Sequence, residues 1–364
     1  MSIIRINLFN TFLISKRDYS FMDVATSSSI ETLPSPHHEL NSRDVWIIGT
    51  LTSVIVAIGL ILIQLGFNES FYSENAILYS IFRIITELGG EYAYIVFFMV
   101  IYLSIDKKFA ERLIFSFVIT LHFTNFFKLT FQDPRPSTNT LETGFGFPSG
   151  HTTGSVSFWG YTLLNVQDFN KKSSKWLGGI FSGFVLIFVP LSRLVIGVHD
   201  LADVVGGFGL AGLLLLVYCY LEPKISAVGW SLGKKIGYGV ILGSVLWIGC
   251  AAILAWIHPT ALWEQVEDLA QSSGLIIGLS IAIPLEHKYI QYNPKTLQVG
   301  QKILTAIIGT IVGIGFYFGL KVLFGLLPDA WNPIMRGIRY ILFVVMLVLS
   351  LPALFKRIFP QKKP

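Results

Sequence analysis

Long apolar runs alternate with short polar joints along the chain. Runs near the roughly 20 residues that cross about 30 Å of hydrocarbon recur ten times: 45–66, 88–104, 112–130, 150–167, 176–196, 200–221, 236–257, 271–284, 301–326 and 337–355. Only helices and closed barrels satisfy their backbone inside a bilayer, and runs of this length predict helices. The expected fold is an all-α, polytopic membrane helix bundle. The eighth run is short and is compatible with a re-entrant segment. The stretch AILYSIFRIITE at 76–87 is amphipathic, and is expected to lie on the membrane surface or to pack against the bundle. Residues 1–44 hold Ser27 to Ser29, Pro34, Pro36 and the pair His37–His38, with no long apolar run. A flexible cytoplasmic tail is expected there, without a removable signal peptide.

Composition sharpens this picture. Of 364 residues 53% are hydrophobic and 13% charged, against about a quarter charged in soluble domains. The mean hydropathy is +0.64. These values exclude a disordered chain, a disulfide scaffold, a coiled coil and an ordinary soluble enzyme. Cys219 and Cys250 both fall in apolar runs, which fits small buried hydrophobes rather than a bridge. Gly206, Gly207, Gly209 and Gly212 share one expected helix, and Gly309 and Gly313 another; close helix packing accounts for them.

The net charge of +5 is an orientation signal, not a nucleic-acid footprint. With ten spans, 19 of the 27 Lys and Arg residues fall on one side. They lie in the tails and in 105–112, 168–175, 222–235 and 285–300. By the positive-inside rule both tails are cytoplasmic. The opposite segment 258–270 carries Glu264, Glu267 and Asp268 without Lys or Arg, and is expected to be a solvated loop.

Three polar clusters break the apolar pattern: Lys128 to Pro136, Pro148 to His151, and Ser192 to Asp203. Ionisable groups inside or at the rim of spans are costly and point to function. All three fall on the non-cytoplasmic side of a topology drawn without them. Lys128, Arg135 and Arg193 converge there, and three cations call for an anion. Guanidinium matches phosphate oxygens in a fork, and Lys adds a point charge. Pro148 followed by Ser149–Gly150–His151 reads as a helix start, whose free N–H groups favour a phosphate oxygen. His199 and Asp203 lie four apart on one helical face. A carboxylate on one imidazole nitrogen leaves the other as a nucleophile, and His151 is placed to protonate a leaving oxygen. A metal on His151, His199 and Asp203 is the competing reading. The three cations would repel a divalent ion, so no metal and no cofactor are expected. His122, His258 and His287 are expected to be hydrogen-bonded structural residues.

At these positions the chain resembles the type 2 phosphatidic acid phosphatase superfamily of membrane lipid phosphatases. Its signatures K-x6-RP, PSGH and SR-x5-H-x3-D are matched by Lys128 to Pro136, Pro148 to His151 and Ser192 to Asp203. The resemblance covers a six-helix core over 45–222 and extends to the segment ITELGGEY at 85–92. About four further transmembrane helices follow over 223–364. The resemblance implies that His199 attacks phosphorus, Asp203 orients it and His151 protonates the leaving group. It implies that Lys128, Arg135, Ser149, Gly150 and Arg193 hold the phosphoryl oxygens, without metal. The expected protein is a multi-pass enzyme of the cell membrane, its site on the non-cytoplasmic side. It would hydrolyse an amphipathic phosphate or diphosphate ester, with phosphatidate and polyprenyl diphosphate the favoured substrates. A phosphotransferase using the same histidine, or a non-catalytic lipid-phosphate-binding or transport protein, are the alternatives. The expected partners are this substrate and the bilayer, not nucleic acid.

Overall fold

The computed structural model describes residues 42–69, 71–168, 172–258 and 266–360, all within one compact unit. The expected tail lies outside these residues except for its last three, and His37–His38 and Glu264 lie wholly outside. The described residues are helical with no strand, an all-α bundle. In chain order the helices are α1 (Ser42–Gln64), α2 (Ala76–Thr86), α3 (Glu91–Val100), α4 (Lys107–Phe131), α5 (Gly150–Leu164) and α6 (Lys172–Val195). These are followed by α7 (Leu201–Ala227), α8 (Leu232–Ile257), α9 (Glu267–Leu285), α10 (Val299–Phe324), α11 (Asn332–Val345) and α12 (Leu351–Ile358).

Side chains set the helix starts. Asn75 Oδ1 accepts from the N–H groups of Ile77 and Leu78 at the head of α2. Asp106 Oδ1 accepts from Phe109 N–H at the head of α4. Asp200 Oδ1 accepts from Asp203 N–H at the head of α7. Each satisfies a donor that has no intrahelical partner. Gly197 makes the sharp turn between α6 and α7 at φ 73°, a conformation glycine adopts without steric cost. A Cβ there would also meet Tyr72 and Thr138 within 3 Å.

Among the described residues eight helices are long and apolar enough to span a membrane, or nine if the pair α2–α3, bent by 50°, counts as one span. The helical rod Glu267–Ile290 runs 24 residues, about 36 Å at 1.5 Å per residue, so the eighth run is long enough to cross. The remaining expected run forms α5, which has only 15 residues. Helix α5 packs against α4, α6 and α7 and is buried along most of its length, so it has little lipid-facing surface to match to the bilayer. Its small polar residues bond to its neighbours: Ser157 to Ser116, Thr153 to Thr124 and Ser155 to Tyr94. Such bonds hold helices together where hydrophobicity cannot distinguish helix from lipid.

The expected glycine contacts are present. A Cβ on Gly212 would lie 2.4 Å from Thr52, one on Gly309 2.4 Å from Leu103, and one on Gly313 2.3 Å from Met99. Cys219 and Cys250 are free and buried. The segment 76–87 packs on α6 with Phe82 and Thr86 buried. The described part of the acidic cluster is not a solvated loop. Glu267 and Asp268 open α9 and pair with Arg336 at 2.9 and 2.8 Å, because α11 brings that cation against them.

Segments assigned to one side meet one another. Lys107 pairs with Glu286, Arg112 with Glu222 and Lys295 with Asp106. At the other end, the loop 132–149 reaches the α6–α7 turn through Thr138 and Gly197.

Candidate functional site

The three clusters converge at one end of the bundle. His199 sits on the turn after α6, Asp203 one helical turn on in α7. His199 Nδ1 donates to Asp203 Oδ2 at 2.7 Å, and both side chains are almost fully buried. The carboxylate selects the tautomer with its proton on Nδ1. Nε2 is left with a lone pair, and Arg135 Nη1 faces it at 3.2 Å. Arg135 is anchored by donating from Nη1 to the carbonyl of Val198 at 3.0 Å. Burial holds the His199 imidazole well below its ordinary pKa of 6.5, reinforced by the charges of Lys128, Arg193 and Arg135.

Lys128 rises from the last turn of α4. Its Nζ donates to the carbonyls of Phe145 at 2.7 Å and Gly146 at 2.9 Å, leaving one of its three donors. Gly146 lies against Asp203, where a Cβ would meet Oδ2 at 2.7 Å. Ser149 stands at the N-cap position of α5 without a side-chain cap bond, and its own N–H donates to the carbonyl of Asp203 at 3.0 Å. Gly150 lies beside Lys128: a Cβ there would sit 3.9 Å from the lysine Cε. His151 stands within electrostatic reach of Arg193, Glu142, Arg135 and Lys128 and packs on Gly89. Arg193 is fully buried in α6, and its Nη1 donates to Thr86 Oγ1 at 2.7 Å. The structure therefore brings all eight sequence-predicted site residues close together at one end of the bundle.

The spacing of the signatures does not reveal Glu142. Its carboxylate pairs with Arg135 at 3.0 Å and with Arg193, and so lodges between two of the three cations. Burial pushes this carboxyl up, but the charge and hydrogen bond of Arg193 outweigh burial and hold it below the usual carboxylate range. Its only sequence signal is an acid in the loop between two cationic signatures. Thr86 carried more signal, since it lies in the segment 85–92.

Several buried polar atoms around the site that can donate have no partner: Ser149 Oγ, Thr152 Oγ1 and Arg193 Nε. Buried polar groups are normally satisfied. This set, together with the free N–H groups at the start of α5, is made of hydrogen-bond donors. The donors are cations, hydroxyls and amides, which suit phosphoryl oxygens. The one described group with metal-ligand spacing is elsewhere: Glu111, Glu286 and His287. There Lys107 and His287 already answer the two carboxylates. His122 bonds Ser272 at 2.9 Å and His258 the carbonyl of Thr130 at 2.8 Å, and His287 bonds Glu111 at 2.8 Å.

Comparison with known proteins identifies related sequences. The model of the PAP2 superfamily matches residues 109–226, and that of the PAP2 superfamily phosphatase, transmembrane extension, matches 270–363. Sphingosine-1-phosphate phosphatase 1 of Mus musculus is 25% identical over 254 residues, 66% of this chain and 59% of that protein. Sphingosine-1-phosphate phosphatase 2 of Homo sapiens is 27% identical over 160 residues, 42% of this chain and 40% of the relative. Phosphatidylglycerophosphatase B of Bacillus subtilis (strain 168) is 34% identical over 87 residues, 23% of this chain and 42% of the relative. The chain thus matches about three fifths of the length of the mouse relative. No solved structure matches it.

Proposed function

Because this chain belongs to the PAP2 superfamily, we propose that it is an integral membrane phosphatase that hydrolyses a lipid phosphate or diphosphate. The observation that supports this best is the carboxylate of Glu142 between Arg135 and Arg193. The same Arg135 guanidinium touches His199 Nε2, so at rest the pocket already holds an oxyanion next to its candidate nucleophile. The relatives named above are phosphatases of sphingosine-1-phosphate and phosphatidylglycerophosphate, and the site chemistry accommodates either kind of ester.

In the proposed reaction the substrate phosphoryl group displaces Glu142. Arg135, Arg193, Lys128, Ser149 Oγ and the Gly150 N–H then share its oxygens, and this electrostatic stabilisation grows as the five-coordinate centre forms. His199 Nε2 attacks phosphorus, and the bond from phosphorus to the ester oxygen breaks. His151 gives its proton to the leaving oxygen. Asp203 stabilises the positive charge that develops on the His199 ring. Water then attacks the phospho-histidine, His151 takes the water proton, and phosphate leaves with His199 restored. No step requires a metal. We also propose that residues 45–222 supply this chemistry, that 223–364 complete the bundle around it, and that the pocket faces the non-cytoplasmic side of the cell membrane.

The test is phosphate release by purified protein from a panel of lipid phosphates, with and without a chelator. Release that persists in chelator and is lost in His199→Ala is the expected outcome. A protein that is folded but releases phosphate from no member would overturn the reading. A chelator-sensitive activity restored by zinc or magnesium would overturn its metal-free form.

A further inference from the structure

The turn that carries His199 is gripped by a segment outside the three signatures. The loop between α1 and α2 lies against it and holds it on both sides. Before His199, Ser73 N–H donates to the carbonyl of Val195 at 3.1 Å, and Tyr72 packs on Gly197. After His199, Asn68 makes three bonds. Its carbonyl accepts from Leu201 N–H at 3.0 Å, and its Oδ1 accepts from Ala202 N–H at 3.0 Å. Its Nδ2 donates to Asp200 Oδ2 at 2.7 Å. Asn68, Tyr72, His199 and Asp200 line one small hollow between loop and turn.

These bonds form a chain that leads to the candidate nucleophile. Asp200 follows His199 directly in sequence. Its Oδ2 takes the Asn68 amide, and its Oδ1 accepts from Asp203 N–H at 2.9 Å. Asp203 in turn accepts from His199 Nδ1 at 2.7 Å. The first three N–H groups of α7 are thus all answered, two of them by Asn68. A helix start is commonly capped by the residue just before it. Here a second segment also holds the capping residue itself.

We propose that Asn68 is a positioning residue for the phosphoryl transfer: through Asp200 it fixes Asp203, and through Asp203 the direction of the His199 lone pair. The inference rests on the role given to His199 above. An amide suits this place because it offers an acceptor to Ala202 N–H and a donor to Asp200 at once. Alanine offers neither, and an ionised aspartate cannot donate. His199 Nε2 must point at phosphorus in line with the bond that breaks, and a misplacement of about 1 Å can cost about 10²-fold in rate. The loss therefore falls on the transition state rather than on substrate binding, which Arg135, Arg193 and Lys128 carry.

The experiment measures phosphate release by full-length Asn68→Ala and Asn68→Asp against wild type, across pH, on one lipid phosphate that the wild type hydrolyses. Asn68→Ala should lower kcat by about 10- to 100-fold and leave KM within about twofold. Asn68→Asp keeps the acceptor for Ala202 N–H but sets a carboxylate against Asp200. Two carboxylates this close share one proton, and the pair holds it to a raised pKa. Below that pKa the shared proton restores the bond to Asp200, and above it the two charges repel. The ratio of Asn68→Asp to wild-type kcat should therefore rise by about tenfold or more as pH falls. It should fall again when the same sample is returned to alkaline pH, with the helical circular dichroism unchanged throughout. A purely structural role gives no such reversible ratio. A kcat of Asn68→Ala within twofold of wild type would overturn the inference, as would a loss confined to KM. A ratio for Asn68→Asp that does not change with pH would overturn it too, and this variant decides alone if Asn68→Ala does not fold. Full activity in His199→Ala would be a failure of the parent reading, and the inference would fall with it.

Discussion

His199 and Asp203 hold each other at 2.7 Å in near-complete burial, so each depends on the other for its role. Substituting His199 with Ala should lower phosphate release by at least about 10³-fold without changing the helical circular dichroism spectrum. Residual activity above a tenth of wild type would refute its role as nucleophile. Asp203→Asn should cost less, since Nε2 survives and only the ring's tautomer and orientation suffer. The pH profile carries a separate sign. Burial and three neighbouring cations lower the His199 pKa from 6.5. The nucleophile must be neutral, and a lowered pKa keeps it neutral to more acidic pH. The acid limb of kcat/KM should therefore lie below pH 6.5 where it reports His199, and a limb well above that value would contradict the assignment. Glu142 competes with the substrate for Arg135 and Arg193. Glu142→Gln removes the competing charge, so KM and the inhibition constant of vanadate should both fall by about three- to tenfold with kcat retained. Weaker vanadate inhibition would mean instead that Glu142 organises the two arginines.

At the scale of elements, the site depends on how closely helices approach. Gly274 of α9 faces Gly337 of α11, and a Cβ on Gly274 would lie 2.4 Å from the Gly337 carbonyl oxygen. Backbone cannot move aside as a side chain can. Gly274→Ala should push the two helices apart and lower stability by about 1–3 kcal/mol. Gly315 of α10 has nothing within 4 Å of the same position, so Gly315→Ala is the control and should be neutral or mildly stabilising. Thermal unfolding in detergent separates the two, and equal midpoints would argue against the tight α9–α11 crossing. The same crossing forms one wall of a cavity of about 270 Å³ beside His151, so a loosened Gly274 variant should also lose activity on long-chain substrates before short ones.

For the whole molecule, the Lys and Arg bias and the grouping of the signatures lead to one orientation. Single cysteines at Thr140 and Ser173, both exposed, in a background without Cys219 and Cys250, test it with an impermeant thiol reagent on intact cells. Thr140 should react and Ser173 should not. The reverse pattern would invert the topology, and reaction at both would mean that a span between them is missing. Much of this molecule was legible without coordinates. Apolar run length dictates a helical bundle because an unpaired backbone is intolerable in hydrocarbon. Charges that are costly in a membrane stand out against it, which is why three short segments could be singled out as candidates for one site. Other features depended on packing between segments far apart in the chain. Periodicity along one helix does not disclose that α5 is enclosed by its neighbours, or that Arg336 turns Glu267 and Asp268 from a loop into the head of α9. Nor does it reveal that Glu142 rests between two arginines, because a loop acid has no spacing rule and its partners are chosen by the fold. Asn68 belongs to the same class: its bonds to Asp200 and Ala202 join residues more than 130 positions apart. Local chemistry determined which residues could act, and only long-range helix packing decided what surrounds them.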